Sequence, residues 1–241
     1  KLNKGKTMTP VFLSYQLMSE IIWKKIFENS LQELYSKKDF FFKNLNELEK
    51  LRSVAEYNTG SISTSSAWSL FSTSYYFKPK KVLEVGTFIG KSTYSMALGS
   101  DLSLSKTIIH TCDFSNNINL DLKVESSVHC YPKTSSTDMF KTLVEKNENG
   151  FDMIHLDGRL QGEDFSLLDN LLTDDAVIIL DDFEGIEKGV ANVFNFGAQK
   201  KLSKYIVVYP PDAKFLEKYG FFESCNTAML LPKQLLQLTA Q

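Results

Sequence analysis

The 241-residue chain has room for one sizeable α/β domain with an appendage, and 43% hydrophobic and 23% charged residues are ordinary for a folded globular protein. A formal net charge of -2 provides no overall field to hold nucleic acid or an anionic membrane. The cysteines, Cys112, Cys130 and Cys225, are widely spaced without a CxxC pair, which argues against a disulfide frame or zinc site and for reduced thiols in a cytoplasmic protein.

No run approaches the length of a membrane span. Pro10, Gln16 and Glu20 interrupt the start of the chain before it can form the apolar centre of a signal peptide. Apolar residues at Leu17, Ile21, Ile22 and Ile26 predict a helix from about Leu13 to Tyr35. "FFFKNLNELEKLRSVAEY" predicts a second through Leu45, Leu48 and Leu51. "YNTGSIST" breaks the pattern, with Gly60 as the stop and Ser63 or Thr64 as the next N-cap. A third helix, "SSAWSLFSTSYY", ends before Pro79. A boundary near Gly60 would separate an N-terminal helical extension, residues 1–60, serving as acceptor cap or dimer interface, from a domain spanning 61–241.

After Lys80, short apolar runs alternate with helical stretches: "KVLEVG", "TIIHTCD", "SVHCY", "FDMIHLDG", "AVIILDD", "KYIVVYP" and "TAMLLP". Helices are expected near Ser92, Thr137, Gly162 and Ile186. Such alternation predicts an α/β, Rossmann-like, open and mostly parallel seven-stranded sheet with helices on both faces, its last two strands forming an antiparallel edge.

The stretch "KVLEVGTFIGKSTYSMA" opens as a buried strand, breaks at Gly86, passes Gly90 and closes as a helix. A glycine turn leaving a strand lets backbone N–H groups approach a ligand, and the next helix aims its positive end at a carboxylate or phosphate. Ser92 and Thr93 add hydroxyls there. A dinucleotide fingerprint requires a glycine where Phe88 stands, and a P-loop requires one where Val85 stands, so neither fits. Further strands end in Asp113, in Asp157, and in Asp181 with Asp182, which brings acids to one rim of the sheet.

"VLEVGTFIGKST", "CDFS", "FDMIHLDG" and "AVIILDDFEG" resemble the successive motifs of class I S-adenosylmethionine-dependent methyltransferases. They are most similar to the catechol O-methyltransferase-like group and its bacterial small-molecule relatives. The resemblance covers roughly Tyr57 to Gly197 and, weakly, the C-terminal hairpin, and the N-terminal helices carry none of it. It implies methyl transfer to a hydroxyl of a small molecule, with S-adenosylmethionine as cofactor and no nucleic-acid or membrane partner; a homodimer is compatible with it.

Carried over onto these motifs, Glu84 and the turn of Gly86, Thr87, Phe88 and Gly90 would surround the methionine part of the cofactor. Ser92 would bond its carboxylate, Asp113 the ribose hydroxyls and Ser135, in "KTSS", the adenine. Ser61 would lie in a loop across the methionine end. Asp157, Asp181 and Asp182 would hold a divalent cation, magnesium by preference, with Asp157 also acting in catalysis.

The chain departs from the family at Leu160, where relatives carry Lys or His as a base. Arg159 is permanently charged and a poor base, and His155 reads as a packed core residue. That departure leaves open a protein that binds the cofactor without turnover, and a nucleotide- or NAD-dependent enzyme on the same sheet is the other alternative. "VYPPD" only superficially resembles an amino-methyltransferase motif, and Phe40–Phe42 reads as core or interface.

Overall fold

Between Pro10 and Gly60 the sequence has neither glycine nor proline. In the computed structural model this stretch forms one 41-residue helix, α1 (Pro10–Lys50), ending in a 3-10 turn over Leu51–Val54. The two helices expected here are therefore continuous, because nothing between Tyr35 and Phe40 interrupts the backbone hydrogen bonding. The structure describes residues 10–56, 60–115, 120–184, 188–198 and 202–236, with side chains from residue 16 onward.

The buried stripe of α1 runs through Ile22, Trp23, Ile26, Phe27, Leu34, Phe41, Leu45 and Leu48. Leu17 and Ile21, expected on that stripe, are 58% and 54% exposed. They lie on the opposite face, since the 3.6-residue period that buries Ile22, Ile26 and Trp23 turns them outward.

Helix α2 (Thr64–Phe77) starts at Ser63, whose side chain accepts a hydrogen bond from Ser66 N, and it ends at Lys78 in a left-handed conformation. The chain continues through β1 (Lys81–Val85), α3 (Lys91–Leu102), β2 (Ile108–Asp113), β3 (Ser127–Pro132), α4 (Ser136–Glu145), β4 (Phe151–Leu156) and α5 (Gly162–Leu171). It closes with β5 (Leu172–Leu180), α6 (Gly189–Ala198), β6 (Tyr205–Val208), α7 (Ala213–Glu217) and β7 (Ala228–Pro232). The helix expected near Ile186 is α6, beginning at Gly189; Ile186 itself lies outside the described residues.

The seven strands form one sheet in the order β3-β2-β1-β4-β5-β7-β6. Strands β1 to β5 pair in parallel, while β7 is antiparallel to both β5 and β6. The C-terminal hairpin therefore places β7 inside and β6 at the edge.

Alternation along the strands feeds two cores. Val82, Ile109, Met153, Val177 and Ile179 face α1, α2 and α3; Leu83, Val85, Ile154, Leu156, Ile178 and Leu180 face α4, α5 and α6. Each fully buried aliphatic or aromatic side chain of this kind contributes roughly 1.5–3 kcal/mol. The long N-terminal helix thus shares a core with one face of the sheet. No helix among the described residues is long and apolar enough to cross a membrane.

Candidate functional site

Strand order reverses between β1 and β4, and ligands of open parallel sheets bind beyond the carboxyl ends of strands at such a point. The turn after β1 is built tightly there. Gly86 N and Thr87 N donate to Cys112 O at 2.9 and 3.2 Å, and Gly86 has φ 106°. A Cβ at Gly86 would lie 3.1 Å from both Cβ and O of Asp157, so only glycine lets the turn approach the end of β4.

Asp113 fixes the other side of the turn. Its Oδ2 accepts from Phe88 N at 2.7 Å and its Oδ1 from Ser115 N at 2.7 Å. Phe88, at φ 42°, sits in the left-handed region, and the bond to Asp113 holds it there. The Thr87 and Thr111 hydroxyls meet at 2.5 Å beneath. Thr134 N donates to Asp113 O at 2.9 Å, which ties the "KTSS" segment to the same corner. There Ser135 caps α4, accepting from Asp138 N at 3.0 Å and donating to Asp138 Oδ2 at 2.6 Å.

Glu84 is fully buried below the turn. It accepts from Thr93 Oγ1 and pairs with His155 Nδ1 at 3.2 Å, its neighbour across β1 and β4. Burial opposes its ionisation, yet the bonds from His155, Ser92 and Thr93 hold its carboxyl below the ordinary glutamate value. Burial likewise opposes charging His155, and Glu84 nonetheless raises it. The side chain of Glu84 is thereby committed to holding β1, β4 and the start of α3 together. Ser92 is buried at that helix start and lines the cleft beside the turn, together with Gly86, Thr87 and Phe88.

The ends of β4 and β5 carry the acids. Asp157, Asp181 and Asp182 each place a carboxylate oxygen within 4.8 Å of the others. Burial first, and the Asp181 charge second, push the Asp157 carboxyl up to about 7. Burial also raises Asp181, whose Oδ1 accepts from Thr227 Oγ1 at 2.9 Å. Lys188 Nζ lies 3.0 Å from Asp157 Oδ1 and 2.7 Å from Asp182 Oδ2. Burial works against its charge, but the two carboxylates raise it above an ordinary lysine.

A cavity of about 260 Å³ opens over these acids, lined also by Ser61, Lys188 and Ser224. Gly60, Ser61, Ile62 and Asp157 border both this cavity and the cleft at the Gly86 turn. Ser61 is anchored from below: its hydroxyl accepts from Arg52 Nη2 at 2.8 Å and Lys91 Nζ at 3.2 Å, and donates to Glu49 Oε2 at 3.1 Å. Leu160 is buried in the core under α5 and α6 and does not line the cavity.

Sequence reasoning did not anticipate Lys188, Lys91, Glu49 or Arg52. Lys91 follows the turn glycine and was readable as an element of the motif, but its partner Glu49 sits at the far end of α1. Nothing in the spacing of Lys188 ties it to Asp157, 31 residues earlier.

The sequence matches no protein-family model and no curated protein at a significant level. Solved structures do resemble the fold. An O-methyltransferase from Bacillus cereus in complex with SAH superposes with a TM-score of 0.57 at 15% identity, covering 79% of this chain and 91% of that one. TomG from Streptomyces achromogenes, an O-methyltransferase involved in tomaymycin synthesis and solved in complex with SAM, gives 0.55 at 16% identity, covering 78% and 89%. Cofactor-bound Rv0187 from MTB gives 0.56 at 15%, covering 79% and 90%. The chain has the Rossmann-like fold of these structures, the first two of which are O-methyltransferases.

Proposed function

We propose that this protein transfers a methyl group from S-adenosylmethionine to a hydroxyl of a small molecule. One observation carries the reading: the cleft at the Gly86 turn and the acid-lined cavity meet at Asp157 and at Gly60–Ile62. A cofactor bound along the turn would present its reactive end to an acceptor in the second cavity.

S-adenosylmethionine supplies a sulfonium-activated methyl group, displaced in line by the acceptor oxygen. The residues of this chain align the two partners. The N–H groups of Gly86, Thr87, Phe88 and Gly90 are bonded within the fold and fix the shape of the turn, so the positive end of α3, with Ser92 at its start, would meet the anionic end of the cofactor. Asp113, already orienting Phe88 and Ser115, keeps lone pairs for ribose hydroxyls. Asp157 borders both cavities and is the group placed to orient the acceptor hydroxyl and receive its proton.

The acid cluster fits a divalent cation of the magnesium type. Its donors are hard carboxylate oxygens, three of them gathered within 4.8 Å of one another. Asp157, Asp181 and Asp182 would hold the ion, which supplies positive charge that acidifies a nearby hydroxyl.

Calorimetry with S-adenosylmethionine and S-adenosylhomocysteine, with and without magnesium, tests the proposal first, and transfer of a labelled methyl group to a panel of hydroxylated acceptors tests it second. Saturable binding and transfer that EDTA suppresses are expected. Absence of cofactor binding in both conditions overturns the reading, and full activity after EDTA removes the ion from it.

A further inference from the structure

We infer that Lys188 is a tethered cation that competes with a divalent ion for the carboxylates at the ends of β4 and β5. The inference rests on the reading of those carboxylates as a cation site.

The ammonium group stands between two of the three acids, 3.0 Å from Asp157 Oδ1 and 2.7 Å from Asp182 Oδ2. A divalent ion bound to those same oxygens would sit against it, and like charges in a half-buried site repel strongly. The two therefore exclude one another. Asp181 is oriented separately, by Thr227 Oγ1 at 2.9 Å, and stays in place whichever cation is present.

The surrounding chain suits exchange. Gly189 presses the start of α6 onto the end of β5 so closely that a Cβ there would lie 2.4 Å from Asp181 O. This fixes the root of the Lys188 side chain beside the acids. Its side chain, a flexible four-carbon stem ending in the ammonium, is 39% exposed and already lines the cavity of about 260 Å³, into which the head can withdraw. A divalent ion carries twice the charge of the ammonium and can meet all three carboxylates where Lys188 pairs with two, so at sufficient concentration it displaces the lysine. The tethered ammonium thus sets the threshold for loading, and the cluster is never without a cation.

The test is manganese binding to the full chain, followed by electron paramagnetic resonance, for the wild type, Lys188→Met and Lys188→Gln. Both variants should bind manganese about tenfold more tightly or better, because the competitor is gone. Unchanged or weaker affinity, or no binding by any of the three, overturns the inference. A second measurement needs no variant: acetylation of Lys188 by acetic anhydride, read by mass spectrometry, should rise several-fold at saturating magnesium, as the freed ammonium leaves its carboxylates. Labelling indifferent to magnesium also overturns it. Calorimetry with S-adenosylhomocysteine on the same samples separates the outcomes: cofactor binding without cation competition sinks this inference alone, and loss of cofactor binding sinks the methyl-transfer reading.

Discussion

The two halves of the rim treat buried charge differently. On the β1–β2 side the acids are bound into the fold: Glu84 is saturated by Thr93, Ser92 and His155, and Asp113 accepts from two backbone N–H groups while keeping further lone pairs. On the β4–β5 side three carboxylates cluster, two of them paired with Lys188, and burial pushes Asp157 and Asp181 toward protonation. Saturated charge fixes shape, whereas unbalanced charge is a site that needs something from outside the fold. The first region should therefore fail structurally when disturbed, and the second should become more stable.

Glu84→Ala breaks the first region hardest. It leaves His155 buried without its partner, and its expected cost is about 3 kcal/mol or more of folding stability, read as the urea midpoint. An unchanged midpoint would mean the pair is not a structural element. Asp113→Ala frees Phe88 N and Ser115 N and loosens the turn. It should weaken S-adenosylhomocysteine binding on the order of tenfold to a hundredfold, equivalent to roughly 1.4–2.8 kcal/mol. Wild-type affinity in that variant would remove Asp113 from the cofactor site.

Asp157→Asn probes the second region in the opposite direction. The folded-state pKa of Asp157 is raised from 3.8 to about 7, so the native chain holds a proton that the unfolded chain has released. The stabilisation from this group is complete below pH 4 and is lost as pH rises toward 7. In the absence of divalent ions, the variant should gain on the wild type across that window and be more stable by about 1–2 kcal/mol at pH 8. Magnesium should narrow the gap by stabilising the wild type. A variant less stable than wild type at pH 8 would show that the Lys188–Asp157 pair outweighs the unbalanced charge.

Much of this arrangement was legible because it follows from local pattern. Short apolar runs between helical stretches locate the strands, and their ends place Asp113, Asp157, Asp181 and Asp182 on one rim without knowledge of packing. What was not legible depends on angles between elements. The partnership of Glu84 with His155 needs the β1–β4 register. The approach of Lys188 to Asp157 needs α6 seated on β5 through Gly189. In α1, helical period alone could not say which of Ile21 or Ile22 faces inward, because the core it meets is assembled from residues as distant in the chain as Leu231.

Ser61 belongs to both regions and should respond least. Its hydroxyl joins Glu49, Arg52 and Lys91, but that network survives without it: Lys91 still pairs with Glu49 at 3.2 Å and donates to Ile62 O at 2.9 Å. Ser61→Ala should therefore cost under about 1 kcal/mol and leave S-adenosylhomocysteine affinity within roughly threefold. Lys91, 10% exposed at its side chain, carries the anchoring instead, since it reaches both the loop carbonyl and the end of α1. If Ser61→Ala instead removed cofactor binding while stability held, the hydroxyl would be a direct contact. The loop over Asp157 would then act on the cofactor itself, and the division between a shape-fixing rim and a ligand-seeking rim would have to be drawn through Ser61 and not between β1 and β4.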